Sequence, residues 1–341
     1  METTATATVS ELMSPGELKE ELPLTAGVKE TILNAKTTIK NILSGDDQRL
    51  LLIVGPCSIH DPDAALEYAY RLNLLREKYE ERLFIIMRVY FEKPRTSLGW
   101  KGLINDPYLD GSCMVADGLY TARSLLLSIT SIGLTAGMEL LDPLVSHYVS
   151  DLASWVAIGA RTSESQVHRE LASSLDVPVG FKNSTDGSID TAICSIISAA
   201  NQHSFLDIDC NGKVCVTRTK GNQFGHLILR GSKNGPNYNE NSIALCEEKL
   251  RMSNINPSIV VDCSHMNTGK NCYNQPNVWK EAIKIRKNGH RSIKGVMLES
   301  NIHEGNQSIS GPLQYGVSIT DECIGWDATE QLIDETYRYG F

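Results

Sequence analysis

The chain has 341 residues, 41% of them hydrophobic, and a formal charge of −9 from 32 Lys and Arg against 41 Asp and Glu. That much apolar material excludes wholesale disorder, and the acidic balance excludes a general nucleic-acid or membrane-surface binder. Nine scattered cysteines (57, 113, 194, 210, 215, 246, 263, 272 and 323) form no C-x-x-C pair, which excludes a zinc knuckle or disulfide framework. With neither a signal pattern nor a bilayer-length apolar run, a soluble, cytoplasmic protein is expected.

Residues 1–45 read as an N-terminal arm. It has a Thr/Ala/Ser-rich mobile start, a turn or helix start at Ser14-Pro15-Gly16-Glu17, and a helix over VKETILNAKTTIKNIL that ends before Gly45. From residue 46 to 341 a regular alternation sets in. LLLIVGP precedes the helix-period DAALEYAYRLNLLREKYEERL, and FIIMRVY precedes a cation-rich loop and GLYTARSLLLSITSIG. LTAGMEL precedes PLVSHYVSDLASWV, VAIGA precedes SQVHRELASSL, and PVGFKN precedes SIDTAICSIISAANQ. LILRG, IVVDCS and GVMLES then precede SIALCEEKLRMSN, NVWKEAIKIRKNG and TDECIGWDATEQLIDETYRYG.

Unbroken apolar strands, each followed by a helical period, suit parallel strands buried on both faces. Eight such units predict an α/β fold, a (β/α)8 TIM barrel with an N-terminal arm. The competing open doubly wound sheet lacks a G-x-G-x-x-G after the first strand. The irregular stretch at about 205–222, FLDIDCNGKVCVTRTKGN, carries Asn211-Gly212 between apolar runs and predicts an inserted β-hairpin.

In such a barrel the chemistry belongs to the C-terminal strand ends. Read in order, those ends and the loops beyond them carry Cys57, Arg88 with Lys93 and Arg95, Glu139, Arg161, Lys182, Arg230, Asp262 with His265, Glu299, and Asp321. Six cations (Arg88, Lys93, Arg95, Arg161, Lys182 and Arg230) at one mouth would repel unless anions fill it, so at least two anionic substrate groups are expected. Cys57, His265, Glu299 and Asp321 can hold a borderline divalent ion. A single cysteine or histidine at such a position is more often inert core, and Met87, Trp100 and Trp155 read as packing, with His168 and Arg169 as solvated helix residues. Only the joint pattern raises the functional reading above these.

GPCSIHD (55–61), RVYFEKPRT with GWKGLINDP (88–107), GARTSESQVHRE (159–170), GFKNSTDG (180–187), ILRG (228–231), DCSHMNTGK (262–270), ESNIHEGNQ (299–307) and SITDECIGW (318–326) closely resemble class I 3-deoxy-D-arabino-heptulosonate 7-phosphate (DAHP) synthase. The likeness is to the microbial and fungal aromatic-feedback type and runs from about residue 45 to the C-terminus. It implies a metal-dependent condensation of phosphoenolpyruvate with erythrose 4-phosphate, the entry to the shikimate route. By this resemblance one divalent ion (Mn, Fe, Co or Zn) is held by Cys57, His265, Glu299 and Asp321. Arg88, Lys93, Glu139, Arg161, Lys182 and Arg230 match the phosphoenolpyruvate contacts, and Lys93, Pro94, Arg95, Thr96 and Asp321 those for the aldose phosphate. Lys93, Glu139, Lys182 and His265 are the expected catalytic groups. A homodimer or homotetramer is implied, with an aromatic amino acid as possible effector.

The sequence departs from the family at Ser184 and Ser232, where Gly is common, and more widely around the effector pocket. Asp142, Pro143, Ser146, His147, Leu175 and Asp176 fall in that region, and these departures lead to an expectation of altered or absent inhibition; a buried Asp176 carboxylate would disfavour an aromatic ring or instead meet an effector's ammonium group. A sister enzyme acting on another aldose phosphate and a catalytically silent paralogue remain as rivals; KPRT argues against the first and the intact ligand quartet against the second.

Overall fold

A computed structural model of the chain describes residues 9–95 and 97–339. The first eight residues of the expected mobile start, and Thr96, lie outside the described residues. Eight parallel strands close into a barrel: β1 Leu50–Gly55, β2 Leu83–Arg88, β3 Ala136–Glu139, β4 Ala153–Ile158, β5 Val179–Lys182, β8 Gly225–Leu229, β9 Ile259–Asp262 and β10 Ile293–Glu299. Neighbours follow chain order, and β10 pairs with β1 through Leu51↔Gly295 to Gly55↔Glu299 to close the ring. The strands are buried along almost their whole length, which explains their lack of polar alternation.

Helices α3 Pro62–Tyr79, α4 Val115–Ser131, α5 Pro143–Val149, α6 Gln166–Ser174, α7 Asp190–Ala199, α8 Glu240–Met252, α9 Gln275–Lys287 and α10 Trp326–Tyr339 follow the strands in turn. Between α7 and β8 stands the hairpin, β6 Ser204–Ile208 and β7 Val214–Arg218, paired antiparallel from Ser204↔Arg218 to Ile208↔Val214. Its turn uses Gly212 at φ 75° and the Asp209 carboxylate, which accepts from the Asn211 and Lys213 amides at 2.9 Å each. Unlike the barrel strands, the hairpin is half exposed, with Leu206, Val214 and Val216 on its open face.

Among the described residues the arm contributes two helices. α1 Pro15–Glu21 starts at a capping box in which Ser14 and Glu17 satisfy each other's amides. α2 Ala26–Ser44 begins at Thr25 and ends on Gly45 at φ 99°. Ile39, Ile42 and Leu43 of α2 share one apolar cluster with inward residues of the barrel (Leu51, Ile53, Ile86, Trp155, Ile228, Val260 and Met297), so this helix stoppers the end of the barrel away from the charged mouth.

Two expected boundaries are corrected. The helix expected over residues 143–156 ends at Val149, and β4 begins at Ala153 after a 3-10 turn. Ser154 bonds the Ala136 carbonyl at 3.1 Å and Trp155 Nε1 donates to His226 Nε2 at 2.9 Å inside the barrel. A continuous apolar run does not distinguish buried helix from buried strand, and these interior partners decide it. The last helix starts at Trp326, not Thr320, because the residues before it are tied by the bridges Asn306↔Ser318, Gly305↔Cys323 and Ser300↔Ile324.

Candidate active site

The C-terminal strand ends surround a cavity of about 270 Å³. Arg88, Lys93, Arg95, Arg161, Lys182 and Arg230 all line it, together with Pro94, Glu139, His265 and Asp321. Lys270, at φ 67°, adds a seventh cation that the strand-end reading missed. Its place one residue after Gly269 in DCSHMNTGK was the available signal. Against these seven, the lining holds the carboxylates of Glu139 and Asp321, with Glu299 against Arg88 and Asp262 near Lys182, so positive charge is in surplus. A phosphoenol carboxylate carries about three negative charges near neutral pH.

The walls hold the cations apart. Arg88 is fully buried; it pairs with Glu299 at 2.9 Å and lies 3.7 Å over the Tyr90 ring. Burial opposes its charge, but Tyr90, Glu299 and Cys57 outweigh this and raise its pKa. Lys182 meets Glu139 at 2.7 Å, with Asp262 4.0 Å away. For Glu139 burial again favours the neutral acid, yet Lys182, Lys93 and Arg88 bring its pKa to about 2, so it stays ionised. Gly159 faces this carboxylate, and a Cβ there would sit 2.9 Å from Glu139 Oε1. Burial and the facing Arg161 both lower the Arg230 pKa, as expected of two guanidinium groups sharing one anion-sized space.

Beside this wall, donor atoms of Cys57, Glu299 and Asp321 all lie within 4.8 Å of one another. His265 stands next to this triad, its Nε2 3.9 Å from Glu299 Oε1. Its Nδ1 lies 2.8 Å from both Ser264 Oγ and Asp262 Oδ2, which turns Nε2 toward the triad in the manner of an outer-shell brace. His265 has φ 55°, a left-handed conformation uncommon for a non-glycine residue and frequent at functional positions. Burial pushes the Cys57 thiol pKa up and Glu299 adds to this, while Lys93 opposes it. Lys93 Nζ reaches both Cys57 Sγ and Cys57 O at 3.1 Å. The thiol and two carboxylates of the triad, with the His265 imidazole beside them, are a donor set that suits one borderline divalent ion.

The loop after β2 brings Lys93 to the centre. Lys93 N–H donates to Lys101 O at 2.8 Å, and Glu92 bridges Gly102. Gly102, at φ 117°, lies so near Phe91 O that a Cβ would approach it to 1.9 Å. Arg95 donates to Trp100 O at 2.7 Å, keeping the exposed tip folded back on itself.

A model of the DAHP synthetase I family matches residues 26–334. The chain belongs to this family. It is 50% identical over 330 residues to the Tyr-sensitive phospho-2-dehydro-3-deoxyheptonate aldolase of Escherichia coli K12, covering 96% of this chain and 92% of that one. It is 48% identical over 332 residues to the Trp-sensitive enzyme of the same organism, covering 97% and 95%. The solved phospho-2-dehydro-3-deoxyheptonate aldolase of Francisella tularensis SCHU S4 superposes with a TM-score of 0.95 at 43% identity, covering 97% of each chain.

Two expectations beyond the cavity need correction. His168 and Arg169 are not solvated helix residues. His168 Nε2 contacts Leu141 O at 2.7 Å and Arg169 Nε donates to Ser163 O at 3.0 Å, so both brace loops at the mouth. Asp176 is not buried; its side chain is 79% exposed and meets Lys40 at 3.2 Å on α2. Of the other expected effector residues, Asp142 caps α5, Pro143 is its first residue, and Ser146 Oγ bonds Pro143 O at 2.6 Å. His147 joins Asp207 of the hairpin at 2.7 Å, and buried Leu175 has its carbonyl held by Asn222 at 2.9 Å.

Proposed function

We propose that the chain condenses phosphoenolpyruvate with erythrose 4-phosphate and water, yielding 3-deoxy-D-arabino-heptulosonate 7-phosphate and inorganic phosphate. The observation that carries this is a surplus of cations around one cavity, set against a thiol–dicarboxylate triad. In this reading Cys57, His265, Glu299 and Asp321 hold one divalent ion of the Mn, Fe, Co or Zn kind. When bound, that ion supplies Lewis-acid polarisation to an aldehyde carbonyl.

The side chains do the rest. Arg88, Arg161, Lys182 and Arg230 bind the phosphate and carboxylate of phosphoenolpyruvate, while Pro94, Arg95 and Thr96 receive the aldose phosphate beside Asp321. C3 of phosphoenolpyruvate then forms a bond to the aldehyde carbon. Positive charge develops at C2 and is met by a water oriented by Glu139, whose charge is maintained by Lys182. The water sheds one proton as it adds, offsetting the one the alkoxide takes up; the C2–O bond to phosphate then breaks, phosphate leaves with that electron pair, and the C2 hydroxyl passes its proton to it as the ketone forms. Lys93, whose pKa stays raised because Cys57 and Glu299 outweigh its burial, is placed to give a proton to the new alkoxide.

The names of the Tyr- and Trp-sensitive relatives support an aromatic effector, and association into a homodimer or homotetramer belongs to the same reading. A cytoplasmic location belongs to the same reading; among the described residues no helix is long and apolar enough to cross a membrane. Phosphate release measured with both substrates, with and without chelator and with arabinose 5-phosphate as an alternative, tests the proposal. Metal-dependent release with erythrose 4-phosphate is expected; no release with any added divalent ion would overturn it.

A further inference from the structure

Glu92 takes no part in the reading above, yet it is only 5% exposed and immediately precedes Lys93. Burial makes an ionised carboxylate costly. What meets its oxygens is backbone: Oε2 accepts from the Leu141 amide at 3.1 Å and Oε1 from the Asp142 amide at 3.2 Å. Those amides belong to the segment that leaves β3 just after Glu139. Asp142 then caps α5, Leu141 lines the cavity, and the Leu141 carbonyl meets His168 of α6. One carboxylate thus joins the loop of Lys93 to the segment of Glu139.

We propose that Glu92 is a positioning residue, whose carboxylate locks the loop after β2 onto the segment after β3 and so holds Lys93 and Glu139 in register across the reacting carbons. The inference rests on the condensation proposed above. Both amides need an acceptor at once, and only the ionised carboxylate offers one to each without carrying a proton. The surroundings make this sensitive to pH. Burial raises the Glu92 pKa to about 7, the Leu141 and Asp142 amides oppose that rise, and the charges of Asp142 and Glu139 add to it. Lys93 on its own loop and His168 behind the Leu141 carbonyl also stand close to the clamp. As pH falls below about 7 one oxygen takes a proton and the clamp loosens.

Glu92→Gln keeps the shape but puts an NH2 against one amide. A displacement on the order of 1 Å at the reacting groups can cost about 100-fold in rate, so kcat at pH 8 is expected to fall about 10- to 100-fold. The KM for phosphoenolpyruvate, set by the other walls, should change little. The parent should show an acid limb near pH 7 in kcat that the Gln variant lacks, and Glu92→Asp should recover part of the rate and keep the limb. Circular dichroism and bound metal per chain establish that the variants are folded; if Glu92→Gln does not fold, the limb of Glu92→Asp decides, supporting the clamp if present and overturning it if absent. A folded Gln variant with parental kcat, or one that loses rate but keeps the parental limb, overturns the inference. A parent that releases no phosphate overturns the condensation instead, so the two failures are distinct.

Discussion

Replacing Glu139 by Gln should lower stability and turnover together, by amounts that the site itself sets. The carboxylate is 7% exposed and 2.7 Å from Lys182. Its pKa drops from 4.5 to about 2 because Lys182, Lys93 and Arg88 together overcome burial. A depressed folded-state value means stability that is fully present above pH 4.5 and lost as pH falls toward 2. At about 1.4 kcal/mol per unit, the carboxylate contributes about 3 kcal/mol at neutral pH, in the range for breaking a buried pair. With an unfolding entropy of roughly 2 cal/mol/K per residue over 341 residues, Tm should fall by about 4 °C. The gap between variant and parent should narrow as the pH of the melt is taken below about 4.5. A group that orients water contributes about 10²- to 10⁴-fold, so kcat should fall by that factor, while KM for phosphoenolpyruvate should not rise, since a negative charge has left its pocket. Phosphate release and thermal melts across pH measure both. A Gln variant turning over at the parental rate would refute the water-orienting role, and an unchanged Tm would refute the electrostatic argument.

Three further outcomes follow from the same geometry. Cys57→Ala removes the thiol from the triad and should weaken divalent-ion affinity by more than about 100-fold, beyond what losing an outer-shell brace costs; metal titration with elemental analysis after dialysis checks this. Gly102→Ala places a methyl 1.9 Å from Phe91 O at a φ of 117°, so the loop should shift at a cost of at least about 1–3 kcal/mol, and KM for erythrose 4-phosphate should rise more than KM for phosphoenolpyruvate. The 2.7 Å contact between His147 and Asp207 ties α5 to the hairpin, so His147→Ala should change inhibition by an aromatic amino acid more than it changes turnover without one; a steady-state assay with phenylalanine, tyrosine and tryptophan in which variant and parent are inhibited alike contradicts this.

What could be read from residues alone divides along a physical line. Most strands and their C-terminal ends were legible because burial on both faces leaves an apolar run followed by a polar or reactive side chain, as LFIIM leads to Arg88 and LLLIVG to Cys57. The cation surplus was legible because charge is a property of residue type. Illegible were the partners that depend on which backbone group a folded segment presents. Asp176 looked like a candidate for burial, yet the arm helix sets its lysines beside it from 136 positions away. Glu92 stands beside Lys93 in the sequence with nothing in its residue type to single it out. Its partners are amides 49 and 50 positions further on, and an amide carries no residue-type signature. The same holds for His168, which contacts a carbonyl 27 positions back. Residues whose chemistry is in their side chains are therefore the easier class to find. Residues that place them act on the main chain, and only the closed barrel brings those atoms within reach.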